Sequence, residues 1–124
     1  MKFTEDLHGN ILYIKQYQPT AIHIDDQQYS HSIVIKNNDV QKVSWNDPSQ
    51  PLNDDLVTLL SDNQPELVII GIGLNSAAIN MRLAEPFLCA GIGCEVMPSD
   101  SACRTYNIVA TENRKVNAII YLPG

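Results

Sequence analysis

Long apolar segments and clustered basic residues are both absent from this sequence, and each absence argues against a class of protein. The longest apolar run covers residues 67–74. It has the length of a strand, whereas a membrane helix needs about 18 residues. The 8 basic residues are scattered among 14 acidic ones, giving a formal charge of −6. This balance disfavours a nucleic-acid partner, because phosphate contacts need clustered Lys and Arg.

Paired cysteines and targeting segments are also missing. Cys89, Cys94 and Cys103 form no C-x-x-C pair, so their spacing fits neither a zinc site nor a disulfide framework. The first ten residues, "MKFTEDLHGN", have no apolar core and are not Arg-rich. They do not resemble a secretory or mitochondrial presequence. We therefore expect reduced thiols in a cytoplasmic protein, with all 124 residues in one domain, 1–124.

What is present is a change of pattern along the chain. The first third alternates apolar and polar residues, which predicts strands over 11–17, 22–24, 28–36 and 40–45. Helices are predicted after the cap residue Asn53, over residues 83–90, and from Ser99, Asp100 or Ser101 onward. Between them lie the apolar strands 66–72, 93–97 and 115–122. The predicted class is α/β with a mixed sheet, in which an antiparallel N-terminal β part precedes a C-terminal βαβαβ unit.

The turn Gly71-Ile72-Gly73 follows an apolar strand and raises the question of a dinucleotide site. The dinucleotide fingerprint needs a third glycine, and Ser76 occupies that position. The fingerprint also has an acidic residue about 20 positions further on, which binds the ribose. Glu95 stands near that position but lies inside the next predicted strand. We therefore predict no nicotinamide or flavin cofactor. A tight strand-end turn and a binding surface that uses this turn both stay open.

The C-terminal stretch "AGIGCEVMPSDSACRTYNIVATENRKVNAIIYLPG" resembles the signature of the MTH domain family, roughly "GIGVEVM-T-AC-TYN-L-EGR-V-A-L-P". Asn113 replaces the usual Gly of "EGR", and Ile72 stands where many members have Thr. The resemblance implies a mixed-sheet α/β domain. The family includes an assembly factor of respiratory complex I, and the resemblance implies no shared catalytic mechanism.

Cys103 is the best candidate nucleophile, because a helix N-terminus lowers the pKa of a thiol. Yet its helical neighbours are apolar, and no His lies in this segment to act as a base. Burial of Cys103 in the core is the alternative. Glu95 is expected within a central strand, where Arg104 or Arg114 would pair with it.

The histidines provide a weaker candidate site. His8, His23 and His31 lie in the strand-rich third, and Asp25 could share a strand face with His23. A metal site would require them to converge. Isolated histidines are the alternative, and we predict no metal.

The carboxyl ends of neighbouring parallel strands are the usual ligand site of open α/β sheets. This rule predicts a binding rim, in which backbone N–H groups are available to an anion or carbonyl group. The predicted rim residues are Gly71, Gly73, Asn75, Ser76, Met97, Ser99, Asp100, Cys103, Tyr106 and Asn107. A solvated sheet edge with helix caps is the alternative reading.

We expect a non-enzymatic, assembly-factor-like binding domain for a protein partner or a small ligand, without cofactor, nucleic acid or membrane span. Self-association stays open. The alternative is a small cytosolic enzyme that uses Cys103 beside an anion or oxyanion cradle at the Gly turn.

Overall fold

The computed structural model describes residues 12–74 and 79–123, and the predicted rim residues Asn75 and Ser76, together with His8, lie outside these ranges. The strands are β1 (Ile14–Gln18), β2 (Ala21–Ile24), β3 (Gln27–Tyr29), β4 (Ile33–Lys36), β5 (Asp39–Lys42), β6 (Leu67–Gly71), β7 (Gly93–Met97) and β8 (Val116–Ile120). The helices are α1 (Asp54–Ser61), α2 (Glu85–Cys89), which follows a 3₁₀ turn (Met81–Ala84), and α3 (Ser99–Thr111). None of the described helices has both the length and the apolar character required to cross a membrane.

The strands form two sheets. β1, β2 and β3 make a three-stranded antiparallel sheet, and the other strands make a five-stranded sheet in the order β5-β4-β8-β6-β7. β6 pairs in parallel with both β7 and β8, whereas β4 pairs antiparallel with β5 and β8. The predicted mixed sheet, with an antiparallel beginning and a parallel C-terminal unit, is confirmed.

The five-stranded sheet is covered on both faces. On one face, Ile69 and Ala118 pack with helix α3 and with Ile22 of the small sheet. On the other face, Val68 and Ile70 pack with α1, α2 and the loop residues around Trp45. All five residues of β6 are buried, because alternate side chains enter opposite clusters. This explains the uninterrupted apolar sequence of that strand.

Polar side chains mark the ends of helix α1. The Asn53 side chain accepts a hydrogen bond from the Leu56 N–H at 2.8 Å, as the predicted cap requires. At the other end, the amide of Asn117 in central strand β8 donates to the carbonyl oxygens of Leu60 and Asp62 at 2.8 and 3.0 Å. These bonds satisfy carbonyl groups that the helix itself leaves unpaired. They also account for the presence of a buried Asn in the middle of the sheet.

The third helix has the buried face predicted from its periodicity, which consists of Ala102, Cys103, Tyr106, Val109 and Ala110. Its beginning differs from the prediction. Pro98 occupies the N-cap position, and no side chain of the described residues caps the helix. The Ser99 side chain is turned instead toward the sheet, where it bonds to two other backbone segments.

The predicted continuous strand over residues 28–36 is wrong, because the chain leaves one sheet and enters the other there. β3 ends at Tyr29 and β4 begins at Ile33. Between them, the Ser32 hydroxyl accepts from the Leu122 N–H at 2.9 Å. A period-2 pattern continues across such a crossing, so alternation alone does not reveal the break.

The central position predicted for Glu95 is also wrong. β7 is an edge strand, and Glu95 is exposed. Arg104 lies 4.0 Å from Asp100, and Arg114 lies 3.3 Å from Glu66. Neither arginine is therefore paired with Glu95.

Candidate binding groove

The ends of β6 and β7 meet, as the carboxyl-end rule predicts for parallel neighbours. The Ile72 N–H donates to the carbonyl oxygen of Met97 at 3.0 Å, which extends the pairing by one residue. The Ser99 N–H then donates to the carbonyl oxygen of Gly73. These bonds bring Gly71, Gly73 and Met97 together with the first residue of α3.

Ser99 is the centre of this junction and is fully buried. Its Oγ accepts from the Gly73 N–H at 2.7 Å and donates to the Tyr121 carbonyl oxygen at 3.1 Å. The Tyr17 hydroxyl donates to the same carbonyl at 3.3 Å, and burial raises the pKa of Tyr17. Because its N–H is already bonded to Ser99, Gly73 does not supply the available anion donor expected from the sequence. The hydrogen bonds hold the rim together instead.

Gly71 and Gly73 are each required to be glycine, but for different structural reasons. A Cβ on Gly71 would lie 2.9 Å from the Cβ of Ala102 and 3.1 Å from the Oγ of Ser99, so only glycine lets α3 approach the strand this closely. Gly73 has φ +92°, a conformation that other residues rarely adopt. The pattern Gly-x-Gly therefore reflects close helix packing and a turn.

A groove of about 300 Å³ opens beside this junction. We call it the exit groove. It is lined by Tyr17 of β1 and Pro19 of the β1–β2 turn, by Asp47, Pro48 and Ser49 of the loop before α1, by Ile72, Gly73 and Leu74 after β6, and by Tyr121 and Pro123 after β8. Leu74 is 52% exposed at this groove. Tyr121 is supported from behind by an edge-to-face contact with Trp45, with ring centroids 5.6 Å apart.

Asp100 and Cys103 differ in their access to solvent. The Asp100 side chain is 44% exposed at the start of α3, and its carboxylate accepts from the Ser101 N–H at 2.8 Å. Cys103 is 4% exposed. Burial raises the pKa of its thiol from 9.0 to about 12, with a smaller contribution from Asp100. The helix-terminus effect that could have produced a thiolate is therefore outweighed by desolvation.

Tyr106 and Asn107 are not part of the exit groove. Tyr106 lines a separate pocket of about 170 Å³ with Asn37, Asn63 and Lys115, and burial raises its pKa to about 12. The Asn107 amide forms two 2.9 Å bonds with the main chain of Ile14, accepting from its N–H and donating to its carbonyl oxygen. Asn107 thus fastens β1 to α3 at the irregular pairing between Ile14 and Gln16.

The sequence interpretation missed Tyr17, Tyr121 and the loop that contains Asp47. The position of Tyr121 at the groove could have been predicted from the sequence. It follows β8, which is parallel to β6, so the carboxyl-end rule applies to it as well. Tyr17 and Asp47 reach the groove from antiparallel and loop segments, for which no comparable rule exists. Among the described residues, no three His, Cys, Asp or Glu side chains are grouped as metal ligands would be.

The fold and this junction define an α/β domain with a mixed five-stranded sheet and a groove at the carboxyl ends of its parallel strands. The chain belongs to the family described as "Protein of unknown function (DUF498/DUF598)", whose model matches residues 14–121. It is 26% identical over 110 residues to a "13 kDa major membrane protein" of Francisella tularensis, an alignment that covers 88% of this chain and 89% of that protein. It is also 31% identical over 86 residues to the Drosophila melanogaster "NADH dehydrogenase [ubiquinone] 1 alpha subcomplex assembly factor 3", covering 65% of this chain and 44% of that protein.

Solved structures show the same fold. A protein of Bartonella henselae described as an outer membrane protein has a TM-score of 0.77 at 22% identity, with 91% of this chain and 96% of that one covered. A Bordetella pertussis protein described as a Mth938-like domain has a TM-score of 0.72 at 22% identity, with coverage of 91% and 87%. The resemblance to the MTH family noted in the sequence is thereby confirmed. At these identities, the structures establish the fold alone.

Proposed function

We propose that this chain is a non-enzymatic binding domain whose exit groove holds a short apolar segment of a protein partner. The observation that carries the proposal is the groove itself, in which Leu74, three prolines and the rings of Tyr17 and Tyr121 form an apolar concavity. Its volume of about 300 Å³ is at the small end for a ligand pocket, and it suits a few side chains. Aromatic-lined grooves commonly hold extended, proline-rich peptide segments.

The relative named as an assembly factor supports a protein partner over a small ligand. The chain spans less than half of that protein, with 44% covered. We propose that residues 1–124 form one domain, and the charge of −6 favours partners other than nucleic acid.

The enzyme alternative has less support. A cysteine nucleophile must be a thiolate near neutral pH, whereas burial raises the pKa of Cys103 to about 12. The Gly73 N–H is not available to an anion or oxyanion at the Gly turn, because it donates to the Ser99 hydroxyl at 2.7 Å. A stoichiometric complex with NADH or FMN in titration calorimetry would contradict the proposed absence of a cofactor.

Two leucines allow a matched test of the groove. Leu74 at the groove is 52% exposed, and Leu88 on α2 is 53% exposed and does not line it. Leu74→Arg and Leu88→Arg therefore impose the same change at equal exposure. Each tagged variant is compared with the wild type in capture of partners from native lysate, identified by mass spectrometry. We expect Leu74→Arg to lose the partner that Leu88→Arg retains, at equal melting temperatures. Retention of every partner by both variants would refute the placement.

We also propose a cytoplasmic location. Cys89, Cys94 and Cys103 are all free thiols, and free thiols are typical of reducing compartments. Two relatives are named as membrane proteins, so the location needs a direct measurement. Cell fractionation with an antibody against the native protein tests this. Recovery in the membrane fraction after a high-salt wash would contradict it.

A further inference from the structure

The edge of the five-stranded sheet at β7 is a second candidate surface, distinct from the exit groove. Among the strands of residues 12–74 and 79–123, β7 has β6 as its one neighbour. The Met97 carbonyl accepts from Ile72, so Met97 and its alternate neighbour Glu95 direct their main-chain groups toward β6. In a strand, the intervening residues direct theirs the opposite way. Cys94 and Val96 therefore present their N–H and C=O groups outward, and the described residues provide no hydrogen-bond partner for them.

The two faces beside this edge differ in chemistry. On the face of α3, the exposed side chain of Glu95 is the charged group of the strand. On the opposite face, Cys94 and Val96 are half-buried against the second core cluster. The 3₁₀ turn packs beside β7 there, and its Met81 is 57% exposed. A strand added to this edge would thus meet a carboxylate on one face and apolar side chains on the other.

A second copy of the chain fits this edge poorly. Antiparallel pairing of two β7 strands about their centre would place Glu95 directly opposite Glu95 of the other copy. Like charges in that position destabilise a strand pair. A charged side chain in the middle of an edge strand is a known protection against self-pairing.

From these observations, we infer that the β7 edge accepts an extended segment of another protein in which a Lys or Arg lies between two apolar residues. The basic side chain pairs with Glu95. Its two neighbours point to the opposite face and pack near Val96 and Met81. The main chain of the segment bonds to the outward groups of Cys94 and Val96, as in other cases of strand addition to a sheet edge.

The experiment uses two capped five-residue peptides, Thr-Val-Lys-Val-Thr and Thr-Val-Glu-Val-Thr, titrated into the ¹⁵N-labelled protein. We expect the Lys peptide to shift the amide signals of Cys94 and Val96 and to bind about fivefold more tightly than the Glu peptide. Glu95→Lys should reverse this preference. Equal binding of both peptides to both proteins would overturn the inference.

A backbone substitution tests the edge independently of charge. Val96→Pro removes an outward N–H and should abolish binding of the Lys peptide. Lys42→Pro on β5, the opposite edge strand of the sheet, is the matched control. The neighbouring Val43 N–H donates to the Ser32 carbonyl oxygen, on the side of β4. The N–H of Lys42 therefore points away from β4, as the N–H of Val96 points away from β6. If circular dichroism shows that Val96→Pro does not fold, the peptide preference of Glu95→Lys is the deciding result.

Peptide-induced shifts confined to the amide signals of Leu74 and Tyr121 would overturn the inference while leaving the exit groove in place. Self-association of the chain that Glu95→Lys abolishes would also overturn it.

Discussion

Removal of the Ser99 hydroxyl is the most direct test of the junction that forms the rim. In Ser99→Ala, the Gly73 N–H loses its acceptor at 2.7 Å and stays buried. The Tyr121 carbonyl loses one donor but keeps the Tyr17 hydroxyl at 3.3 Å. The cost is therefore dominated by a single unsatisfied buried N–H, which amounts to about 1–3 kcal/mol of unfolding free energy. For a chain of this size, about 2 kcal/mol corresponds to a fall in melting temperature of roughly 6–10 °C.

The measurement is urea unfolding followed by circular dichroism, with Ser101→Ala as the control. Ser101 lies in the same helix, and its hydroxyl interacts only with Arg104, at 3.3 Å, among the described residues. We expect the control to change stability by less than about 0.5 kcal/mol. Amide exchange at Gly73 should also accelerate in Ser99→Ala. If Ser99→Ala is as stable as Ser101→Ala, the hydroxyl does not hold the rim and the reasoning is refuted.

Two further predictions concern helix α3. Asn107→Leu leaves the N–H and carbonyl of buried Ile14 without their 2.9 Å partners. We expect urea unfolding to show a free energy of unfolding lower by about 2–4 kcal/mol. A loss below about 0.5 kcal/mol would show that β1 is held by other contacts. Cys103 keeps its proton up to about pH 12 in the folded state, whereas the unfolded thiol ionises near its ordinary value of 9.0. Between these pH values, the unfolded state binds fewer protons, so stability should fall as pH rises, by about 1.4 kcal/mol per pH unit for this group. Cys103→Ala should flatten this alkaline slope, and an identical slope in both proteins would contradict burial of the thiol.

Local patterns were sufficient to predict most elements of this fold. The 3.6-residue period of α3 identified its buried face from Ala102 to Ala110, because a helix against a sheet must bury one stripe. The apolar run of β6 indicated a strand covered on both faces. The order of strands was beyond such patterns. "GCEVM" reads the same at the edge of a sheet as in its centre, so the exposure of Glu95 could not be foreseen.

The positions of some predicted rim residues also agree with the structure, whereas binding at the rim stays a prediction. Gly71, Gly73, Met97 and Ser99 follow from a rule about strand ends, and the structure brings them together. Tyr106 lies seven residues after Ser99 along a helix that rises about 1.5 Å per residue, so it is about 10 Å further along the axis. The motif "TYN" is close to the rim residues in the sequence, but Tyr106 does not line the groove.

The central position of β8 has a consequence for how the molecule is made. β8 lies between β4 and β6, and it is later in the chain than every strand it joins. Until residues 116–120 have left the ribosome, β4 and β6 share no neighbour, and both have open edges that carry large aliphatic side chains. A nascent chain that stops before this point therefore holds two incomplete half-sheets that favour pairing with other chains over folding. Synthesis of the last strand is the step that converts these halves into one sheet.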